Sequence, residues 1–197
     1  MIDLPPFSYD VVMADPPWPW EAYSAKGQAK SPEAQYATMT MADIAALRIG
    51  DLLAPGGVLF LWCTWPLVDR QAEMMRGWGV KPVTGGAWAK RTSTGKLRWG
   101  TGYVLRSVCE PFLIGTLAGS GARGAAIPNL IETVSDAVID GLAREHSRKP
   151  DEAYALLEAL TPKTRRADIF ARQRRDGWDG WGLELGKFDA SDDGRAA

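Results

Sequence analysis

Histidine is almost missing from this chain, one residue in 197, and that excludes a histidine-based metal cluster. Cysteine is nearly as scarce. Cys63 and Cys109 both lie in apolar runs, Leu59–Cys63 and Val108–Leu113, so they read as two buried thiols, without the spacing or companions of a zinc site; no metal is expected. No apolar run approaches the roughly 18 residues needed to span a bilayer. The amino terminus has no basic segment followed by an apolar core. Together these absences imply a cytoplasmic protein with no membrane contact. A charge surplus is lacking too: the formal net charge is −1, which disfavours tight non-specific binding to a long duplex unless the basic residues gather on one face.

What is present is ordinary in bulk, with 46% hydrophobic and 24% charged residues. The length suits one well-buried domain and is short for two, expected over residues 1–190 with a disordered tail at 191–197. Nine tryptophans are more informative, because several of them can line a base-binding cleft, although core packing is their usual use.

The chain is organised around Asp15-Pro16-Pro17-Trp18. The apolar run Tyr9–Ala14 before it reads as a buried strand, which puts the tetrapeptide where a strand leaves a sheet and where α/β folds place their chemistry. Two prolines remove two N–H donors and fix two φ angles, leaving a stiff turn that can only accept hydrogen bonds. Asp15 adds a carboxylate, and Trp18 a flat face for a nucleobase, a stack worth about 1–3 kcal/mol. Acceptors beside an aromatic plane suit an exocyclic amine. If the Asp15 carboxylate and the Pro16 carbonyl hold the hydrogens of an adenine N6 amine, its nitrogen can pyramidalise and present a lone pair to an electrophilic methyl group. The carboxylate then offsets charge developing on nitrogen. A proline-rich turn with a capping Asp and a core Trp is the plainer alternative.

These residues, followed in order by Tyr36-Ala37-Thr38-Met39, Leu59-Phe60-Leu61-Trp62, Trp88-Ala89-Lys90, His146–Glu152 and Phe170-Ala171-Arg172, resemble the S-adenosylmethionine-dependent N6-adenine methyltransferases of the MT-A70-like family, in a bacterial or phage type. The resemblance covers residues 9 to about 185. It implies a catalytic turn at Asp15, Pro16, Pro17 and Trp18. It also implies S-adenosyl-L-methionine as cofactor, held by Asp15, Pro16, Ser147, Lys149, Arg172 and Glu184, and a nucleic-acid substrate met by Tyr36, Trp88, Lys90, Tyr103 and Glu110. His146 is read as structural. The resemblance departs at Leu183, where the family has a cofactor-binding asparagine, and at the amino end, where longer relatives carry a segment against the cofactor's adenine.

Along the chain, residues 19–37 read as a long loop of the lid or binding kind. Thr40 and Asp43 have capping-box spacing and open a helix from Met41 to about Leu53. Val58–Cys63 reads as a strand, Leu67–Trp78 as a helix and Pro82–Lys90 as a strand. Strand–helix alternation implies an α/β fold with a mainly parallel, doubly wound, Rossmann-like sheet, in a permuted motif order by resemblance. Residues 91–103 mix cations with aromatics, suited either to phosphate contact and base stacking or to a solvated hairpin; the resemblance, which implies a nucleic-acid-facing loop here, favours the first. Glu110 falls on the next strand. Residues 131–142 are ambiguous between strand and helix, the resemblance placing a strand near 136–140, and Pro150 opens a helix to about residue 160. Lys163, Arg165, Arg166, Arg172, Arg174 and Arg175 form the densest basic cluster, a phosphate patch if they share a face.

Gly119-Ser120-Gly121-Ala122-Arg123-Gly124 fits the dinucleotide-binding pattern, but Pro128 discourages the helix that the pattern must open, and it reads as loop. A nucleotide-binding protein using that loop is one rival reading. A catalytically silent relative that binds nucleic acid or a partner is another. The preferred reading is methylation of adenine in DNA, since so small a chain lacks accessory RNA-binding domains, with RNA adenosine as alternative. A duplex base would be flipped out to reach the site, and a second copy in a homodimer would compensate for the absent target-recognition domain.

Overall fold

The run Tyr9–Ala14 forms strand β1, buried except for Asp10. Such a strand, apolar on both faces, belongs in the middle of a covered sheet. In the computed structural model, which describes residues 1–19, 38–100, 104–117, 126–134 and 149–189, it does. Strands β2 (Leu53–Trp62), β3 (Lys81–Arg91), β4 (Cys109–Thr116), β5 (Leu130–Val134), β6 (Arg166–Ile169) and β7 (Trp178–Trp181) complete a seven-stranded sheet of order β5-β3-β4-β2-β1-β6-β7. Only β4 runs against its neighbours, β2 and β3; the other pairings are parallel. The expected α/β, mainly parallel, Rossmann-like arrangement holds.

Helices cover both faces. Helices α1 (Met41–Ala46) and α2 (Val68–Gly77) lie on one side, where Ile44, Met74 and Met75 pack with Val12 and Ala14 of β1 and Leu59 and Leu61 of β2. Helix α3 (Asp151–Leu160) lies on the other and buries Ala153 and Leu157 against Val11, Met13, Phe60 and Trp62. Alternate residues of β1 and β2 thus serve opposite cores, as the two-residue period of a strand requires. Among the described residues no helix is long and apolar enough to cross a membrane.

The helix expected from Met41 to Leu53 is shorter. Thr40 caps it by accepting the Asp43 N–H, but Arg48 takes a left-handed conformation (φ 50°), and a 3-10 turn, Ile49–Leu52, follows. Gly50 explains the break: a Cβ there would stand 2.2 Å from the Trp78 carbonyl oxygen, so the chain turns where only glycine lets it approach α2. Strand β2 also starts early, at Leu53, and absorbs Pro55-Gly56-Gly57. The ambiguous stretch after Leu130 begins as strand β5; positions 136–140, the tail and the 119–124 glycine loop lie outside the described residues.

From β1 the chain moves to β2 on one side; after α3 it returns to β6 on the other. The carboxyl ends of β1 and β6 therefore lie side by side where connections diverge, the position at which open α/β sheets form a crevice.

Candidate active site

Asp15 is the first residue beyond β1, and its N–H donates to the Ile169 carbonyl at the end of β6 (3.2 Å). Pro16 and Pro17 stiffen the turn that leaves this point. Pro16 is buried and its carbonyl accepts the Trp18 N–H at 2.8 Å, while the Pro17 carbonyl accepts the Met39 N–H at 2.9 Å. The Pro16 oxygen is thus partly engaged, with a second lone pair left for another donor.

On the other side of the crevice Phe170 comes directly after β6 with φ 67°. A bulky residue in the left-handed region is uncommon and concentrates at functional sites. Here it bends the chain so that Ala171 N–H reaches the Trp181 carbonyl and Arg172 joins the wall of the cleft.

Four charged side chains from four parts of the chain meet in a row. Lys149 Nζ lies 3.2 Å from Asp15 Oδ1 and 3.0 Å from Glu110 Oε2, and Lys90 Nζ lies 2.7 Å from Glu110 Oε1. Each lysine also sits over an indole, Lys149 at 4.9 Å from the Trp62 ring centre and Lys90 at 4.0 Å from that of Trp88, a cation–π contact. Burial pushes the Asp15 carboxyl up, Lys149 opposing and Glu110 adding to the rise. For Glu110 burial also acts upward, but Lys149 and Lys90 together outweigh it and bring the group down to about 2. Burial works against the Lys149 ammonium, yet Asp15 and Glu110 hold it above its ordinary value. Lys149 therefore stays charged, fixed between two carboxylates.

The cleft itself is walled by Asp15, Trp62, Lys149, Asp168, Phe170 and Arg172, among others. Arg172 Nε pairs with Glu184 Oε2 at 3.0 Å. Phe188 closes one side, its N–H donating to the Arg172 carbonyl, and the neighbouring Asp189 is held by both the backbone and the guanidinium of Arg174.

The expected residues Asp15, Pro16, Pro17, Lys90, Glu110, Lys149, Arg172 and Glu184 are thus placed in or beside one cleft. Trp18 and Trp88 correct the expectation of open stacking faces. Trp18 is 7% exposed and its indole N–H donates to the Trp62 carbonyl at 2.9 Å; Trp88 is 6% exposed and bonded to Thr133. Both are core side chains that brace the site from behind. Tyr36, Tyr103 and Ser147 lie outside the described residues. Leu183 points into solvent.

The basic cluster does not form one patch. Arg165 and Arg166 precede or open β6, whereas Arg172, Arg174 and Arg175 come after it, and Arg165, Arg172, Arg174 and Arg175 lie against Asp179, Glu184, Asp189 and Asp151. Their charge is largely spent on local acids. Residues 91–98 form the hairpin alternative, closed by Arg91 pairing with Leu97 and by the Thr92–Lys96 backbone bond; beyond it Trp99 is exposed with Arg106 over its ring.

Sequence reasoning passes over Asp168, Tyr154 and Phe188, which all line the cleft. The available signal is a carboxylate set between Ala167 and Ile169 in a short strand.

Comparison with known proteins gives a consistent result. A family model described as MT-A70 matches residues 9–184. An Arabidopsis thaliana protein named "N(6)-adenosine-methyltransferase MT-A70-like" is 32% identical over 182 residues, covering 90% of this chain and 24% of its own length. The "N6-methyladenosine RNA methyltransferase MTA1" of Cryphonectria parasitica is 30% identical over 189 residues, 91% of this chain and 52% of its own. The human "N(6)-adenosine-methyltransferase catalytic subunit METTL3" is 31% identical over 166 residues, 83% and 26%. This chain spans about a quarter of the plant and human relatives and about half of the fungal one.

Proposed function

The chain belongs to the MT-A70 family, and from that premise we propose that it transfers the methyl group of S-adenosylmethionine to the N6 amine of adenine in nucleic acid. The observation that carries this reading is the Asp15 carboxylate at the mouth of β1, half-buried, held by Lys149 at 3.2 Å and set in the same cleft as Arg172.

The cleft's chemistry fits the cofactor. Asp15 and Asp168 are acceptors for cationic groups, Lys149 and Arg172 are donors for a carboxylate, and Phe170, Trp62 and Phe188 give apolar walls. Asp15, Pro16, Lys149, Arg172 and Glu184 would hold it. When bound, the cofactor supplies an electrophilic methyl group.

The chain's own residues do the rest. Asp15 accepts one hydrogen of the amine, and the second lone pair of the Pro16 oxygen accepts the other. This fixes the amine and frees its lone pair. Lys149 opposes the rise that burial imposes on Asp15 and keeps its carboxylate aimed, while Glu110, pinned between two lysines, keeps Lys149 from swinging away. Charge that grows on nitrogen meets a carboxylate already in position, so little reorganisation is needed.

The relatives' names speak of adenosine, and in the fungal case of RNA. They favour adenosine in RNA as the acceptor here. The test is calorimetric titration with S-adenosylmethionine, followed by mass-spectrometric detection of N6-methyladenine in RNA and DNA oligonucleotides. Wild type is expected to bind and to methylate RNA. Arg172→Ala weakens binding about tenfold or more, and Asp15→Ala lowers turnover by on the order of 10²–10³-fold. A folded protein that binds no cofactor would sink the proposal, and methylation confined to DNA would overturn the RNA assignment.

A further inference from the structure

Two indoles beside the charged row meet edge to face: the ring centres of Trp62 and Trp88 are 5.9 Å apart, with their planes at 64°. Each carries one lysine, and the two lysines reach different oxygens of the same carboxylate, Lys149 to Glu110 Oε2 and Lys90 to Glu110 Oε1. Trp88 is itself pinned, because its indole N–H donates to Thr133 Oγ1 on β5 at 2.9 Å. Lys90 is thus fixed twice, on the Trp88 face at 4.0 Å and on Glu110 at 2.7 Å, and its side chain is only 23% exposed. An ammonium committed in this way has most of its charge answered inside the protein and little left to offer a passing phosphate.

What Lys90 does follows from how Lys149 is shared. The Lys149 ammonium stands almost equally far from Asp15 and Glu110, 3.2 Å and 3.0 Å, so the two carboxylates compete for it. Signs alternate along the row, two cations and two carboxylates. Without Lys90 an anion is in excess in a half-buried place, and the least costly response is for Glu110 to close on Lys149 and draw it from Asp15. With Lys90 present, one Glu110 oxygen is already engaged and the pull on Lys149 is divided.

Resting on the methyltransferase reading above, we propose that Lys90 is a positioning residue for methyl transfer: by holding Glu110 it sets the share of Lys149 that Asp15 receives, and so keeps the Asp15 carboxylate where the acceptor amine meets it. Lys90 does this with Glu110 and Lys149 between itself and Asp15, and without touching the substrate. Trp88 and Thr133 belong to the same bracket. The indole whose closed face rules it out as a stacking platform serves instead as the seat of the outer cation.

A double-variant cycle on the full chain separates this role from substrate contact. Turnover and KM are measured with S-adenosylmethionine and an adenine-containing RNA oligonucleotide for wild type, Lys90→Met, Glu110→Gln and the two combined. Lys90→Met should lower kcat about tenfold and leave KM for the oligonucleotide unchanged. Lys90→Arg keeps the charge and the ring contact and should recover most of the loss. Because Lys90 acts through Glu110, the combined variant should lose no more than the worse of the two single ones. In the cofactor-free protein, NMR of the side-chain carboxyl carbons should show Glu110, held at about 2 in the wild type, moving up in Lys90→Met and back down in Lys90→Arg. Lys90→Gln takes the place of Lys90→Met throughout if the methionine variant fails to fold. A raised KM with kcat unchanged, or losses that multiply in the combined variant, would make Lys90 a substrate contact and overturn the inference while leaving the methyltransferase reading intact. A Glu110 carboxyl that titrates alike in all variants overturns it as well. A folded wild type that methylates neither RNA nor DNA oligonucleotides overturns both.

Discussion

Lys149 Nζ stands 3.2 Å from Asp15 Oδ1, joining a residue just past the first strand to one just before the last helix. Burial alone would move Asp15 toward its neutral form, and Lys149 is the largest influence opposing it. Only the ionised form carries a full negative charge to offset the positive charge that builds on an amine under methylation.

Lys149→Met should therefore cut turnover as well as cofactor affinity. It leaves Asp15 and Glu110 facing each other without the ammonium between them, and one of the two must protonate or move. A loss of about 10–100-fold in kcat is expected, with an activity optimum shifted to higher pH. Single-turnover rates across pH check it; a kcat unchanged from wild type would mean that Lys149 is only a structural tie.

Two acids in the cleft pull stability in opposite directions with pH. Glu110 is depressed to about 2 from 4.5, so its contribution is present above its ordinary value and is lost as pH falls toward about 2. Asp168 is raised from 3.8 to about 7, so the folded state binds the extra proton between those values and stability declines as pH climbs through that window. Urea unfolding of the cofactor-free protein at a series of pH values should show that decline between about pH 4 and pH 7. Asp168→Asn should make it shallower, the raised Asp15 keeping a part of it, and become the more stable protein near neutrality, by on the order of a few kcal/mol. Identical slopes in the two proteins would contradict this.

Gly86→Ala should damage the outer half of the sheet. A Cβ at Gly86 would come within 1.9 Å of the Asn129 carbonyl oxygen and 2.4 Å of the Phe112 ring, squeezed between β3's neighbours. Overpacking of this kind costs about 1–3 kcal/mol. Gly77→Ala is the control, because nothing lies within 4 Å of the added atom. Denaturant midpoints compare the two.

Trp18→Phe should lower stability by about 1–3 kcal/mol, since it strands the Trp62 carbonyl that the indole N–H now satisfies. The effect separates a bracing role from a stacking one: tryptophan quenching on oligonucleotide binding should be no smaller in Trp18→Phe than in wild type once the lost fluorophore is subtracted.

The parts of the site that are legible in the sequence are those where local chemistry and position agree. Asp15-Pro16-Pro17 after an apolar run announces a stiff acceptor turn at a strand end, and the structure puts it there. Trp18 and Trp88 mislead for a simple reason: an indole beside a motif has the same sequence whether its face is open or packed, and only burial tells them apart. Asp168 is set aside in the sequence because an acid there reads as a core-flanking residue or a cap until β1 and β7 are found on either side of it. The helix at Met41 reads too long because Ile44, Leu47 and Leu52 keep helical spacing straight through the left-handed Arg48. The break is dictated from outside by the close approach of Gly50 to Trp78, a contact no local pattern contains.

The pairing of β1 with β6 also bears on how the protein is made. Asp15 leaves the ribosome while Lys149, Asp168 and Arg172 are still untranslated, and at the usual pace of synthesis the wait is on the order of ten seconds. During that time β1 has only β2 to lean on, with one long edge bare and apolar side chains on both faces. A nascent chain of this design is most exposed to wrong pairing just before β6 emerges, and chaperone dependence should fall sharply once β6 has closed that edge.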